Sequence, residues 1–207
     1  MWETETSGFW AFVKEILSIV IISLVIVIPI RYYLAQPFRV KGQSMEPNFL
    51  NGEYLIINEI GYRLNTPQRG DVIVFKYPRD PSEYFIKRII GLPGEKVEVS
   101  EGQVIVYNSE NPKGHVLDES GYLPAYIETK GELVTSLGNS EYFVLGDNRE
   151  ASSDSRFWGP LPREFIIGIA WVRAFPFTRF TVFSTAEYGS GSGVAMPQRV
   201  FGQPAAL

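Results

Sequence analysis

Tyr84-Phe85-Ile86-Lys87-Arg88-Ile89-Ile90-Gly91 is the stretch that decides how this chain folds. Side chains alternate along a strand, so 85, 87 and 89 share one face while 86, 88 and 90 share the other. Both faces are then apolar, broken by Lys87 on one and Arg88 on the other. Such a strand is expected to be buried on both sides. A lone lysine usually stands on a solvated strand face. One held between Phe85 and Ile89 is poorly hydrated, which disfavours its ammonium form and lowers its pKa.

Short β-like runs of the same texture extend in both directions: Glu53 to Ile57, Asp71 to Phe75, Lys96 to Val99, Gln103 to Tyr107, Tyr142 to Leu145 and Ile166 to Arg173. Turn residues separate them, at Asn51-Gly52, Arg69-Gly70-Asp71, Pro93-Gly94 and Gly138-Asn139. No helical periodicity intervenes, so the spacing predicts a mainly β, antiparallel domain over 35–183. Glu110 to Glu141 is polar and turn-rich, which places a cap or insertion at about 95–141. Gly189-Ser190-Gly191-Ser192-Gly193 has the composition of a flexible linker, so 184–207 reads as linker and tail.

A short N-terminal tail, 1–8, precedes a membrane-length apolar segment. Ile16 to Ile30 is apolar except for Ser18 and Ser23. A helical span needs roughly 20 residues, and 9–34 supplies them if Lys14 snorkels. Trp10, Tyr32 and Tyr33 fall where interfacial aromatics belong. A cleavable leader would carry positive charge ahead of its apolar run, whereas Glu3 and Glu5 stand there. The expectation is one uncleaved transmembrane helix in contact with the lipid bilayer. Arg31, Arg39 and Lys41 outnumber Lys14, so the charge count alone would put the body in the cytoplasm.

The net charge of −4 over 207 residues gives no reason to expect a nucleic acid partner. The absence of Cys removes thiolate metal sites and cysteine nucleophiles. The one histidine, His115, lies in the turn-like Asn111-Pro112-Lys113-Gly114-His115 and reads as an exposed loop residue. Histidine-based triads and the usual zinc chemistry are disfavoured, which leaves lysine as the available base.

Two further stretches complete a chemical set. Gly42-Gln43-Ser44-Met45-Glu46-Pro47 presents a serine between a glycine, which lets a peptide approach, and a proline, which fixes the chain. Gly146-Asp147-Asn148-Arg149-Glu150-Ala151-Ser152-Ser153-Asp154-Ser155-Arg156 leaves one apolar run and enters another, Phe157-Trp158-Gly159-Pro160. A polar loop so enclosed must satisfy its own hydrogen bonds, which Asp, Arg, Ser and Asn can do together. A hydroxyl needs a base to become a nucleophile, and a desolvated lysine can serve as one.

With these stretches, and with Arg69 to Phe75 and Lys87 to Glu95, the chain from about Pro37 to Pro160 resembles the bacterial type I signal peptidases. Those are membrane-bound serine endopeptidases that remove signal peptides from exported preproteins. The resemblance implies Ser44 as nucleophile, Lys87 as general base and Ser152 as the serine that orients the lysine. Asp147, Arg149, Asp154 and Arg156 match polar residues that hold the active-site loops. Phe38, Val40, Met45 and Phe85 match the lining of two apolar pockets, for small residues at −1 and −3 from the cut. Gly42 stands where some members carry an oxyanion-binding serine, so backbone N–H groups, chiefly that of Ser44, would take that role. The resemblance implies an antiparallel β catalytic core with a β-rich cap, no metal and no cofactor, and preprotein signal peptides as partners. It also implies an extracytoplasmic catalytic face, against the charge count, and leaves open a plasma or an internal membrane such as a thylakoid. A self-cleaving Ser/Lys regulator is a rival, disfavoured by the apolar segment where a DNA-binding domain would stand. A catalytically inactive preprotein-binding module is another, disfavoured by the presence of both Ser44 and Lys87.

Overall fold

The computed structural model describes residues 5–29 and 36–183. The linker and tail expected at 184–207, and the interfacial residues Tyr32 and Tyr33, lie outside the described residues. Helix α1 spans Glu5–Pro29. Within it, Gly8–Ile28 has a mean hydropathy of 2.6, and none of it is buried by the rest of the chain. Its 21 residues rise about 30 Å, the thickness of a bilayer's hydrocarbon. By length and composition it is long and apolar enough to cross a membrane.

The rest is mainly antiparallel sheet. The strands in chain order are β1 (Gln36–Arg39), β2 (Tyr54–Asn58), β3 (Val72–Tyr77), β4 (Asp80–Gly91), β5 (Lys96–Ser100), β6 (Gln103–Tyr107), β7 (His115–Val116), β8 (Leu133–Ser136), β9 (Glu141–Leu145), β10 (Leu161–Pro162), β11 (Ile166–Phe175) and β12 (Thr181–Val182). Two short helices, α2 (Ile60–Leu64) and α3 (Ser155–Trp158), interrupt them. An eight-stranded sheet runs β1-β2-β11-β3-β4-β9-β10, with β12 beside β11. A second sheet, in the order β7-β6-β5-β8, lies within the segment expected as cap.

The continuous apolar run of β3 has a simple packing reason. Val72 and Val74 join Val40, Met45, Phe49, Leu55 and Ile86 in one cluster. Ile73 and Phe75, on the opposite face, join Ile89, Tyr142, Val144 and Leu161 in another. Both faces of the sheet are therefore covered. A third cluster joins Ile90, Phe143 and Leu145 to Val97, Val99, Val104 and Leu123, so the two sheets share apolar packing.

β4 begins at Asp80, four residues earlier than the sequence pattern shows, because the hairpin with β3 carries the pairing outward to Tyr77 and Asp80. His115 is no loop residue. It pairs with Val106 in the cap sheet and is half-buried, and its shielded Nε2 has no hydrogen-bond partner among the described residues.

Candidate active site

β4 fixes the lysine. Ile86 to Ile90 are all buried, and Lys87 is only 3% exposed. Its Nζ lies 2.7 Å from Ser44 Oγ, 2.9 Å from the Ile86 carbonyl oxygen and 5.3 Å from the centre of the Phe85 ring. Burial strips water from the ammonium and lowers the lysine's pKa to about 8, although Asp154 and Asp147 pull in the other direction. A sizeable neutral fraction is therefore present near neutrality, as a general base requires.

The serine turn is anchored from beneath. Met45 and Phe49, each 1% exposed, sink into the cluster below Ser44 and leave its side chain partly open. Met45 therefore backs the cleft and does not reach its lining. Gly42 adopts φ +86°, a left-handed conformation that favours glycine. Its N–H donates to Asn51 Oδ1 at 3.1 Å. The Ser44 N–H has no acceptor among the described residues and remains available to a developing oxyanion.

The loop at 146–156 locks these two elements together. The Asn148 N–H donates to the Ser44 carbonyl at 3.0 Å, and its side-chain amide donates to the Gln43 carbonyl at 3.1 Å. Gly146 is needed for close approach, since a β-carbon there would stand 2.4 Å from Ser44 O and 2.2 Å from Ser152 Oγ. Asp147 is fully buried and accepts a two-pronged pair from Arg88, at 2.8 and 2.7 Å, plus a bond from Asn48 Nδ2 at 2.8 Å. Asp154 caps α3, accepts from Gly146 N at 3.1 Å and pairs with Arg156 at 2.9 Å. Arg149 Nε donates to Gly146 O at 3.0 Å, while its far end grips Glu119 and Thr129 of the cap segment. Removing one partner from a buried ion pair of this kind costs about 3–5 kcal/mol.

Ser152 is buried beside these groups, yet its Oγ makes no hydrogen bond among the described residues. The Lys87 amine points instead to Ser44 and the Ile86 carbonyl. Three supporting residues escaped the sequence reading: Arg88, Asn48 and Glu119. Of these, Arg88 had a visible signal. An arginine on a buried strand face demands a carboxylate, and Asp147 follows the next apolar run.

A cleft of about 640 Å³ opens over the pair. Pro37, Phe38, Val40 and Gly42 line one wall, Ser82 to Lys87 the other, with Leu55 and Val74 behind. Phe38 and Tyr84 touch across it, with ring centres 5.3 Å apart. Among the described residues β1 pairs only with β2, and β4 meets β9 only from Arg88 onward, so both walls present unpaired strand edges.

A serine hydroxyl set against a buried lysine, at an open cleft in an antiparallel sheet, is the geometry of a hydrolase that attacks through its own side chain. The family described as signal peptidase, peptidase S26, matches residues 13–175. The chain belongs to that family and is a serine endopeptidase. It is 37% identical over 181 residues to a probable signal peptidase I-1 of Synechocystis, covering 83% of this chain and 87% of the relative. It is 40% identical over 174 residues to a probable signal peptidase I-2 of the same organism, covering 80% and 74%. A crystal structure of a signal peptidase I from Enterococcus faecalis is 29% identical, with a TM-score of 0.42, over 51% of this chain and 97% of that one.

Proposed function

We propose that this protein cleaves signal peptides from exported preproteins, with Ser44 as nucleophile and Lys87 as its general base. The observation that carries this reading is the 2.7 Å approach of Lys87 Nζ to Ser44 Oγ, at a lysine almost withdrawn from water. Neutral Lys87 takes the Ser44 proton as the oxygen attacks the scissile carbonyl. The oxyanion forms against the Ser44 N–H. Collapse expels the new amine, which takes the proton from Lys87 and leaves an acyl-serine. Neutral Lys87 then deprotonates a water, whose oxygen attacks the ester; collapse releases the acid, and Lys87 returns the proton to Ser44. No metal or cofactor takes part in these steps.

The substrate lies as an added strand between β1 and β4, hydrogen-bonded to their free edges. In this reading Phe38, Val40 and Phe85 close the −1 and −3 pockets to all but small side chains. Helix α1 anchors the chain in a membrane, and the β body stands on the extracytoplasmic side, where translocated preproteins present their cleavage sites. The eight-stranded sheet carries the chemistry, with the segment at 95–141 as its cap.

The test is cleavage of several preproteins by the detergent-solubilised protein, with each cut located by mass spectrometry. Ser44→Ala and Lys87→Ala are each expected to lose cleavage while keeping the wild-type circular dichroism spectrum. Wild-type rates in either variant would sink the assignment.

A further inference from the structure

One four-residue turn of the cap touches all three segments that carry the site. Glu119 O accepts from Tyr122 N at 3.1 Å and Leu123 N at 2.9 Å, which closes the turn. On the serine's side, Asn48 Nδ2 donates to the Tyr122 carbonyl at 2.8 Å and, at the same distance, to Asp147. Asn48 lies in the same turn as Ser44. On the lysine's side, the Tyr122 ring covers the guanidinium of Arg88, with its centre 4.1 Å away. Arg88 is the strand neighbour of Lys87 and holds Asp147 through its Nε and Nη2 edge. On the loop's side, Glu119 takes both terminal nitrogens of Arg149, whose Nε holds the Gly146 carbonyl. The Tyr122 hydroxyl donates to Glu119 at 2.5 Å and binds the two residues to each other. Tyr122 and Leu123 are buried with Ile90 and Leu145, so the turn is seated on the core.

We propose that the cap turn Glu119–Tyr122 is a positioning element for the reaction, with Tyr122 and Glu119 holding the serine turn, the lysine strand and the polar loop in mutual register. Neither residue lines the cleft, so neither touches the substrate. They act through Asn48, Arg88 and Arg149. An error of about 1 Å at reacting atoms can cost a hundredfold in rate, which makes a three-point clamp worthwhile. The cap thus has work to do at the site although its own sheet lies apart from the chemistry. This inference rests on the Ser44 and Lys87 roles proposed above.

Loosening the clamp has a signature that lost stability alone lacks. Lys87 Nζ faces Ser44 Oγ, the Ile86 carbonyl, the Phe85 ring and the carboxylates of Asp147 and Asp154. Arg88 and Arg156 balance those carboxylates. Any slackening admits water to the amine and moves it toward ordinary lysine behaviour. The experiment measures kcat, KM and the pH profile of preprotein cleavage for Tyr122→Leu and Tyr122→Phe. Lys130→Ala serves as control, because it breaks an exposed cap-to-loop ion pair outside the turn. For Tyr122→Leu, kcat is expected to fall about tenfold, with KM within about twofold, and the rising limb of the profile to move to higher pH. Tyr122→Phe keeps the ring over Arg88 and removes the hydroxyl that donates to Glu119, and should show a smaller shift in the same direction. It keeps the question answerable if Tyr122→Leu does not fold. Lys130→Ala should match wild type. A wild-type pH profile in the Tyr122 variants overturns the inference, whatever happens to Tm. Retained cleavage by Lys87→Ala would instead overturn the dyad itself, so the two failures are distinct.

Discussion

At Lys87, hydration and reactivity are one quantity. A free lysine, with a pKa of about 10.4, is almost wholly protonated near neutrality and useless as a base. In this fold desolvation brings it to about 8. In the proposed mechanism the reacting form is the neutral amine, so cleavage should rise with pH and level off above about 8. Lys87→Arg should be inactive at every pH, since a guanidinium keeps its proton; an arginine variant with the wild-type profile would show that another group is the base. Ser152 poses a different question. Its buried hydroxyl has no partner among the described residues, so Ser152→Ala should leave Tm unchanged or raised. A drop in kcat alongside that Tm would mean the hydroxyl bonds Lys87 only during reaction, and a wild-type kcat would deny it the orienting role. Ser44 and Lys87 were legible as a pair because both lie in stretches that carry the family resemblance, and Lys87 also stands between apolar strand neighbours. Asn48, Glu119 and Tyr122 were not, because their partners are 30 to 99 residues away in the chain and nothing local marks them. Met45 misled for the opposite reason. Its neighbourhood in sequence is the serine turn, whereas its side chain faces the core.

Strands long enough to bury apolar residues on both faces were readable without the structure. β3, β4, β9 and β11 announce themselves through Val, Ile and Phe runs bounded by turn residues. The two-residue pieces β7, β10 and β12 carry no periodicity to find, and β1 contains Pro37, which weakens a strand signal. That proline is tolerable because β1 pairs on one side only. The unpaired sides of β1 and β4 are also what make the cleft a slot of strand width. Its apolar wall is well packed behind, with Val40 at 4% and Ile86 at 9% exposure, and the Phe38 and Tyr84 rings are in contact across the cleft. A preprotein with Phe in place of Ala at −1 should therefore be cut at least about tenfold more slowly, since a closed pocket has no low-cost way to take the extra volume. Gel-based comparison of the two substrates decides it, and equal rates would mean that these side chains do not set the −1 choice.

For the molecule as a whole, the sequence gives two opposed signals about orientation. The cations near the end of α1 favour a cytoplasmic body, whereas the proposed chemistry needs an extracytoplasmic one. Protease added to intact spheroplasts should digest the β body, and full protection would side with the charges. The slot between β1 and β4 has a further consequence for turnover. In the proposed binding mode, hydrogen bonds from those two edges to the residues before the cut are indifferent to whether the next bond is intact. On that reading the severed leader would be held by almost everything that held the precursor. Departure of the leader, rather than bond breaking, is then the step most exposed to slowing. Synthetic leader peptide added to the assay should act as a competitive inhibitor with an affinity close to that of the uncut chain. In a membrane crowded with spent leaders, the rate would be set by whatever clears them.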